Sequence, residues 1–173
     1  MKLIENLSLF PQNLYKIDCK NNFDYLLKES YVIKEKYKNV YHTPKLMYAS
    51  ENRDIFKTEP SFFPLKNFIK KVLHDIHPKI KTNIIHSWIN FSYKHNYQKQ
   101  HVHPCNMAGV YYINYPPNSG EILIHNQYLD TEAYGITPYK GLMILFNGKQ
   151  PHSVLKNFSN NPRIALPFNI IFQ

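Results

Sequence analysis

Apolar residues along this chain follow two different periods. In residues 22–38, Phe23, Leu26, Leu27, Tyr31 and Ile33 recur mostly at three- and four-residue intervals, which gathers them on one face of a helix, with Asn21 or Asn22 as cap. The same period predicts a second helix over residues 62–76, through Leu65, Phe68, Ile69, Val72 and Ile76. Residues 3–17 mix apolar and polar positions around Pro11 and read as one or two edge strands, and residues 39–57 read as irregular. From residue 83 the pattern shortens into runs at 84–93, 109–115, 122–125, 142–146, 152–155 and 164–172. Turn residues separate them, most clearly Pro116-Pro117-Asn118-Ser119-Gly120 and Asn157-Phe158-Ser159-Asn160-Asn161-Pro162. Many short strands after two helices predict a mainly β fold, a sandwich or barrel with helices packed outside it. No repeat, low-complexity tract or linker interrupts the chain. One domain over residues 1–173 is expected, with 1–82 as support and 83–173 as the β core.

Composition narrows the class. At 43% hydrophobic and 15% aromatic, 173 residues suffice for a packed core. The uninterrupted apolar runs are far shorter than a membrane span, and the opening Met1-Lys2-Leu3-Ile4-Glu5-Asn6 meets charge too early for a secretory signal. Cys19 and Cys105 need no bridge in a chain of this size, so a reducing, cytoplasmic setting is expected. The net charge of +9 raises nucleic acid as a partner, but its distribution weakens that idea. Residues 101–173 hold only four Lys/Arg against three Asp/Glu, so the excess sits on the N-terminal segments and reads as a solvated face. Of the 21 basic residues, only Arg53 and Arg163 are arginine. In a chain so biased to lysine, an arginine hints at a need for a planar fork.

Three of the nine histidines stand out. His101-Val102-His103 places two imidazoles two residues apart, and on an extended segment both point one way while Val102 packs the other. Neutral imidazoles so paired make half a transition-metal site. Taken alone, such a pair fits an ordinary polar strand equally well. His152, at the start of a late strand, could close a three-ligand site, although a lone histidine is more often hydrogen-bonded or exposed. Arg163 follows eleven residues later, across the Asn157–Pro162 turn, and is suited to hold a carboxylate by forked hydrogen bonds.

In order and spacing these pieces resemble the 2-oxoglutarate- and iron(II)-dependent oxygenases. The resemblance is carried by Trp88-Ile89-Asn90, Tyr93, His101-Val102-His103-Pro104, Gly109-Val110-Tyr111-Tyr112-Ile113-Asn114, Ser119-Gly120-Glu121-Ile122 and Pro138. It continues through Gly141-Leu142-Met143-Ile144-Leu145-Phe146, Pro151-His152-Ser153-Val154 and Arg163-Ile164-Ala165. It covers residues 84–172, is nearest to a subgroup found in bacteria and phages, and is more distantly similar to the prolyl hydroxylases. What it implies is a double-stranded β-helix (jelly-roll, cupin-like) core buttressed by two or more helices. By position His101, His103 and His152 match the metal ligands, and Arg163 matches the partner of the far carboxylate of 2-oxoglutarate. Tyr93 and Tyr112 match aromatic positions lining the cosubstrate pocket. The implied cofactors are iron(II), 2-oxoglutarate and oxygen, with ascorbate as support. The implied reaction is hydroxylation of a peptide, protein or small molecule; separately, the charge distribution argues against nucleic acid as a partner and the short apolar runs against a membrane.

One position departs from the family pattern. The second ligand is commonly Asp or Glu, whereas this chain has His103. Of the acids after residue 100, Asp130 and Glu132 read as loop residues and Glu121 as a paired or exposed strand start. The expected site is therefore three neutral histidines, with one more net positive charge on the metal. A three-histidine metalloenzyme without 2-oxoglutarate, such as a cupin-type dioxygenase or a zinc hydrolase, is the enzyme alternative. A catalytically silent jelly-roll binding module is the other. His86, His95, His125 and Cys105 read as ordinary hydrogen-bonded, exposed or small packed residues.

Overall fold

A computed structural model describes residues 2–9, 12–19, 23–40, 47–129 and 132–173. Its strands are β1 (Lys2–Leu9), β2 (Gln12–Asp18), β3 (Tyr48–Ala49), β4 (Thr82–Ser87), β5 (Asn90–Ser92) and β6 (Gln98–His101). They continue with β7 (Met107–Asn114), β8 (Ile122–His125), β9 (Ala133–Ile136), β10 (Leu142–Asn147), β11 (His152–Val154) and β12 (Arg163–Phe172). The helices are α1 (Leu26–Lys36), α2 (Ile55–Thr58) and α3 (Phe63–Ile76), the last preceded by a 3-10 turn at Pro60–Phe62. None is long and apolar enough to cross a membrane.

Two antiparallel sheets face each other. The larger runs β1-β2-β10-β7-β12-β5-β3, with β4 also on β12, and the smaller runs β6-β11-β8-β9. This is the mainly β, helix-buttressed architecture that the chain's pattern predicts, in the jelly-roll form that the resemblance implies. Strand β10 shows why its sequence is nearly all apolar: it is buried on both faces. Met143 and Leu145 point to a core shared with the helices, while Leu142, Ile144 and Phe146 point between the sheets. The helical layer closes the first core through aromatic contacts, edge-on between Phe23, just before α1, and Tyr111 at 6.0 Å, and tilted between Phe56 of α2 and Phe168 at 5.9 Å.

Several local expectations need correction. Helix α1 begins at Leu26 without a side-chain cap, and the expected caps Asn21 and Asn22 lie outside the described residues. Of its predicted apolar positions, Tyr31 is exposed, in edge-to-face contact with Phe91. Residues 39–57 are not wholly irregular, since β3 and the start of α2 fall there. The N-terminal strands are not both at an edge, because β2 pairs with β1 on one side and β10 on the other. Strand β9 was not expected; it runs along β8 with little apolar pattern of its own. The predicted strand over residues 84–93 is broken at Trp88 and Ile89, yet both halves keep one register on β12, from Asn169↔His86 to Arg163↔Ser92.

Candidate active site

The unbroken register sets the floor of the site. Directly opposite residues of an antiparallel pair share a face, and the next pair on that face lies two residues on. Along β12 one row is Arg163, Ala165, Pro167 and Asn169; opposite it stand Ser92, Asn90, Trp88 and His86. Arg163, Ala165 and Pro167, with Ser92, Asn90 and Trp88, line a cavity of about 210 Å³ between the sheets. Apolar walls come from Ile122, Phe146 and Val154.

The smaller sheet supplies the histidines. His152 opens β11 and pairs with His101 at the end of β6 and with Ile124 of β8. His103 follows β6 in an irregular turn, where its N–H donates to the Gly148 carbonyl at 2.7 Å. Ring centroids of His101 and His152 are 4.2 Å apart, and those of His103 and His152 are 5.1 Å apart. One ligand atom from each residue lies within 4.8 Å of the others. The structure thus brings His101, His103 and His152 together, and Arg163 lines the same cavity. Val102 behaves differently from expectation: it points away but is 52% exposed instead of packed.

Hydrogen bonds choose the face each ring presents. Nδ1 of His101 lies 2.8 Å from the Lys99 carbonyl, and Nδ1 of His152 lies 2.9 Å from the Gln150 carbonyl. A carbonyl only accepts, so each Nδ1 carries hydrogen and each Nε2 keeps a lone pair. Burial opposes protonation, lowering all three imidazoles from their ordinary range, His103 to about 4 and His152 to about 3. Mutual repulsion with His101 adds to this at His103 and His152. Three neutral nitrogen donors on one side of a partly open cavity suit a divalent transition metal at about 2.0–2.1 Å. The rings must draw slightly closer around it. Among the described residues no carboxylate joins them: Glu121 accepts from Thr137, and Glu132 accepts from Asn126 at 2.9 Å. Asp130 lies outside the described residues.

Arg163 is 4% exposed and firmly held. Its Nη1 donates to the Ser119 and Gly120 carbonyls, and its Nη2 to Ser92 Oγ at 3.0 Å. These bonds use three of the five N–H donors of a guanidinium. Gly120 has φ +88°, and a Cβ there would collide with the Leu155 and Lys156 carbonyls, so the turn that aims these acceptors requires glycine. Burial lowers the Arg163 pKa, with Tyr112 and Tyr115 opposing, yet a guanidinium stays charged.

The two tyrosines separate. Tyr112 lines the cavity and is 2% exposed, its phenol pushed up by burial. Tyr93 is not a lining residue: it follows Ser92, turns out of the row, stacks on Phe91 and has Lys34 over its ring. Its place as a pocket aromatic is corrected accordingly. Cys105 stays out of the cluster and donates to the Met107 carbonyl, and His125 bonds Ser153 Oγ at 2.8 Å. Arg53, Asn90 and Ser92, to which the sequence assigned no site role, also line the cavity. The alternation of Trp88, Asn90 and Ser92 was a usable signal within the 84–93 run, whereas nothing local marks Arg53 as their neighbour.

Residues 86–169 match a protein-family model described as "Putative 2OG-Fe(II) oxygenase". No curated protein sequence matches the chain. The fold is shared with many solved structures. The collagen prolyl hydroxylase of Paramecium bursaria chlorella virus-1, in a 2-oxoglutarate complex, superposes with TM-score 0.67 at 15% identity, over 91% of this chain and 94% of its own. A Trichoplax adhaerens prolyl hydroxylase with a hypoxia-inducible-factor peptide gives 0.71 at 12%, over 91% and 83%. A Streptomyces hygroscopicus protein with nickel, 2-oxoglutarate and hygromycin B bound gives 0.69 at 10%, over 91% and 82%.

Proposed function

We propose, on the premise that this chain is a relative of the 2-oxoglutarate- and iron(II)-dependent oxygenases over residues 86–169 and has their fold, that it is a hydroxylase whose iron is held by His101, His103 and His152. The observation that carries the reading is one cavity lined by three converging imidazoles and a buried arginine. Iron bound there would supply the oxidative decarboxylation of 2-oxoglutarate by oxygen, giving succinate and carbon dioxide and placing the second oxygen atom on a substrate C–H carbon.

The residues of this chain do the rest. The Lys99 and Gln150 carbonyls fix the tautomers of His101 and His152, so the ligating lone pairs are set before the metal arrives. Arg163, oriented by the Ser119–Gly120 turn and Ser92, offers its two remaining donors to the far carboxylate of the cosubstrate. Tyr112 lines the cavity beside it, and Phe146, Ile122 and Val154 keep the walls apolar. Without the usual carboxylate ligand, the cluster leaves one more positive charge for anions to balance. Ascorbate serves only to keep such an iron reduced. The fold relatives hold a hypoxia-inducible-factor peptide fragment in one case and hygromycin B in another, so both peptide and small-molecule substrates fit the reading.

Succinate formation against 2-oxoglutarate concentration, with iron and ascorbate supplied, tests it. A bond from a charged donor is worth roughly 1.5–3 kcal/mol. Arg163→Ala should therefore raise the apparent 2-oxoglutarate constant about ten- to a hundredfold, at unchanged iron content. Arg163→Lys should fall between, keeping charge but losing the fork. Wild-type protein that forms no succinate and binds no 2-oxoglutarate by calorimetry would return the site to its zinc or cupin-type alternative, which an all-nitrogen ligand set also suits.

A further inference from the structure

The trough floored by β12 does not end at the histidines. Beyond Pro167 and Trp88 it continues into a second hollow of about 230 Å³ lined by Arg53, His86, Trp88 and Asn169. Arg53 and Trp88 line both spaces and so form the waist between them. From Arg163 to Asn169 is six residues of strand, about 20 Å at roughly 3.3 Å each. At the waist the Arg53 guanidinium lies over the Trp88 indole, 4.9 Å from its centroid. Trp88 also approaches His103, ring centroids 6.0 Å apart. A group held on Arg53 and Trp88 therefore lies next to the histidine cluster, at the opposite end from Arg163.

Three features define what would bind there. Among the described residues no Asp or Glu lines either hollow. The chain's only other arginine besides Arg163 stands here, packed on an aromatic plane in the manner that favours a planar, weakly hydrated cation over lysine. Asn169 is 7% exposed, and its Oδ1 has no hydrogen-bond partner among the described residues; Asn90 Oδ1, in the same trough, has none there either. Buried acceptors are seldom left unpaired, so a donor from a bound molecule would complete them. We infer that Arg53, Trp88 and Asn169 form the primary-substrate subsite, and that it takes a group with an anionic carboxylate or phosphate beside a hydrogen-bond donor. Calling the bound molecule a substrate rests on the oxygenase reading; the anion specificity does not.

Trp88 is the only tryptophan, so its fluorescence reports occupancy directly. The probes are N-acetyl-aspartate amide and N-acetyl-phosphoserine amide, each with its neutral partner, the asparagine or serine amide. Titrated into the whole wild-type chain, at least one anionic probe should bind about tenfold or more tightly than its neutral partner, consistent with a charge-assisted bond. Whichever of the two anions does so identifies the acid group. Arg53→Gln should bring anionic and neutral probes within about twofold, while Arg163→Gln leaves the preference intact. A merely structural Arg53 would weaken both probes alike. Should Arg53→Gln fail to fold, Arg53→Lys must shrink the preference, and an unchanged one overturns the inference. So does an anionic preference absent from wild type, or one lost in Arg163→Gln and kept in Arg53→Gln. Calorimetry with 2-oxoglutarate on the same proteins separates the two ideas. Wild type that ignores 2-oxoglutarate but shows the Arg53-dependent preference refutes the oxygenase reading alone.

Discussion

On its helix-facing side β12 presents Ile164, Leu166, Phe168 and Ile170, each 0% exposed, while its other side presents Arg163, Ala165, Pro167 and Asn169. The two rows alternate along one strand, yet one fills a core and the other floors a cavity. Behind the first row, aromatic and aliphatic side chains from α1, α2 and α3 close on one another. Before the second, the smaller sheet contributes histidines with lowered pKa values, and the cavity stays open. Close packing in the first core makes volume the sensitive quantity. In the second space, lone pairs and donors are what count.

That contrast is broken most directly at Phe168. Its truncation to Ala should cost about 3–5 kcal/mol, read from urea unfolding, because the Phe56 contact and the surrounding core cannot collapse fully. His152→Ala should show the reverse profile. Iron(II) affinity should fall about a hundredfold or more, since losing even a group that supports a ligand costs 10–100-fold, while the metal-free protein loses less stability than Phe168→Ala does. His101→Ala and His103→Ala should match it, and His125→Ala should not; equal loss from that control would refute the ligand set.

Gly109 sharpens the comparison because it sits in β7 between the two spaces. A Cβ there would strike the Phe168 ring and the Leu145 side chain, so Gly109→Ala should overpack the helix-facing core, by about 1–3 kcal/mol. The smallest effect is at Glu59, beneath the helices. Burial would raise its carboxyl pKa, but hydrogen bonds from Tyr37 at 2.5 Å and Lys36 at 2.9 Å win and lower it. A carboxyl depressed in the folded state adds stability above its unfolded pKa and loses it as pH falls through the folded one. The unfolding midpoint should therefore decline slightly below about pH 4.3, and Glu59→Gln should remove that component of the slope. An undiminished slope in Glu59→Gln would assign the acid sensitivity to other carboxylates.

Element type was legible wherever one period dominated. Residues 63–76 repeat at helical spacing, and α3 spans them. The runs at 122–125 and 142–146 match β8 and β10 almost residue for residue. Where the pattern failed, another force had replaced burial. Strand β9 is held by the β8 ladder although three of its four residues are exposed.

Within the site, spacing alone left His101, His103 and His152 open to an ordinary strand reading and gave only a hint at Arg163; the resemblance to the oxygenase family joined the four into one set. Tertiary structure decided which neighbours count. Tyr93 and Ser92 differ by one position, and β-strand alternation turns Ser92 onto Arg163 and Tyr93 toward Lys34. Arg53 and Trp88 are 35 residues apart and carry no shared motif, yet the break between β4 and β5 stacks them at the waist of the trough. Local periodicity follows from the covalent geometry of the backbone, so a single sequence reveals it. Register and the meeting of distant loops depend on which strands pair, and only the folded chain settles that.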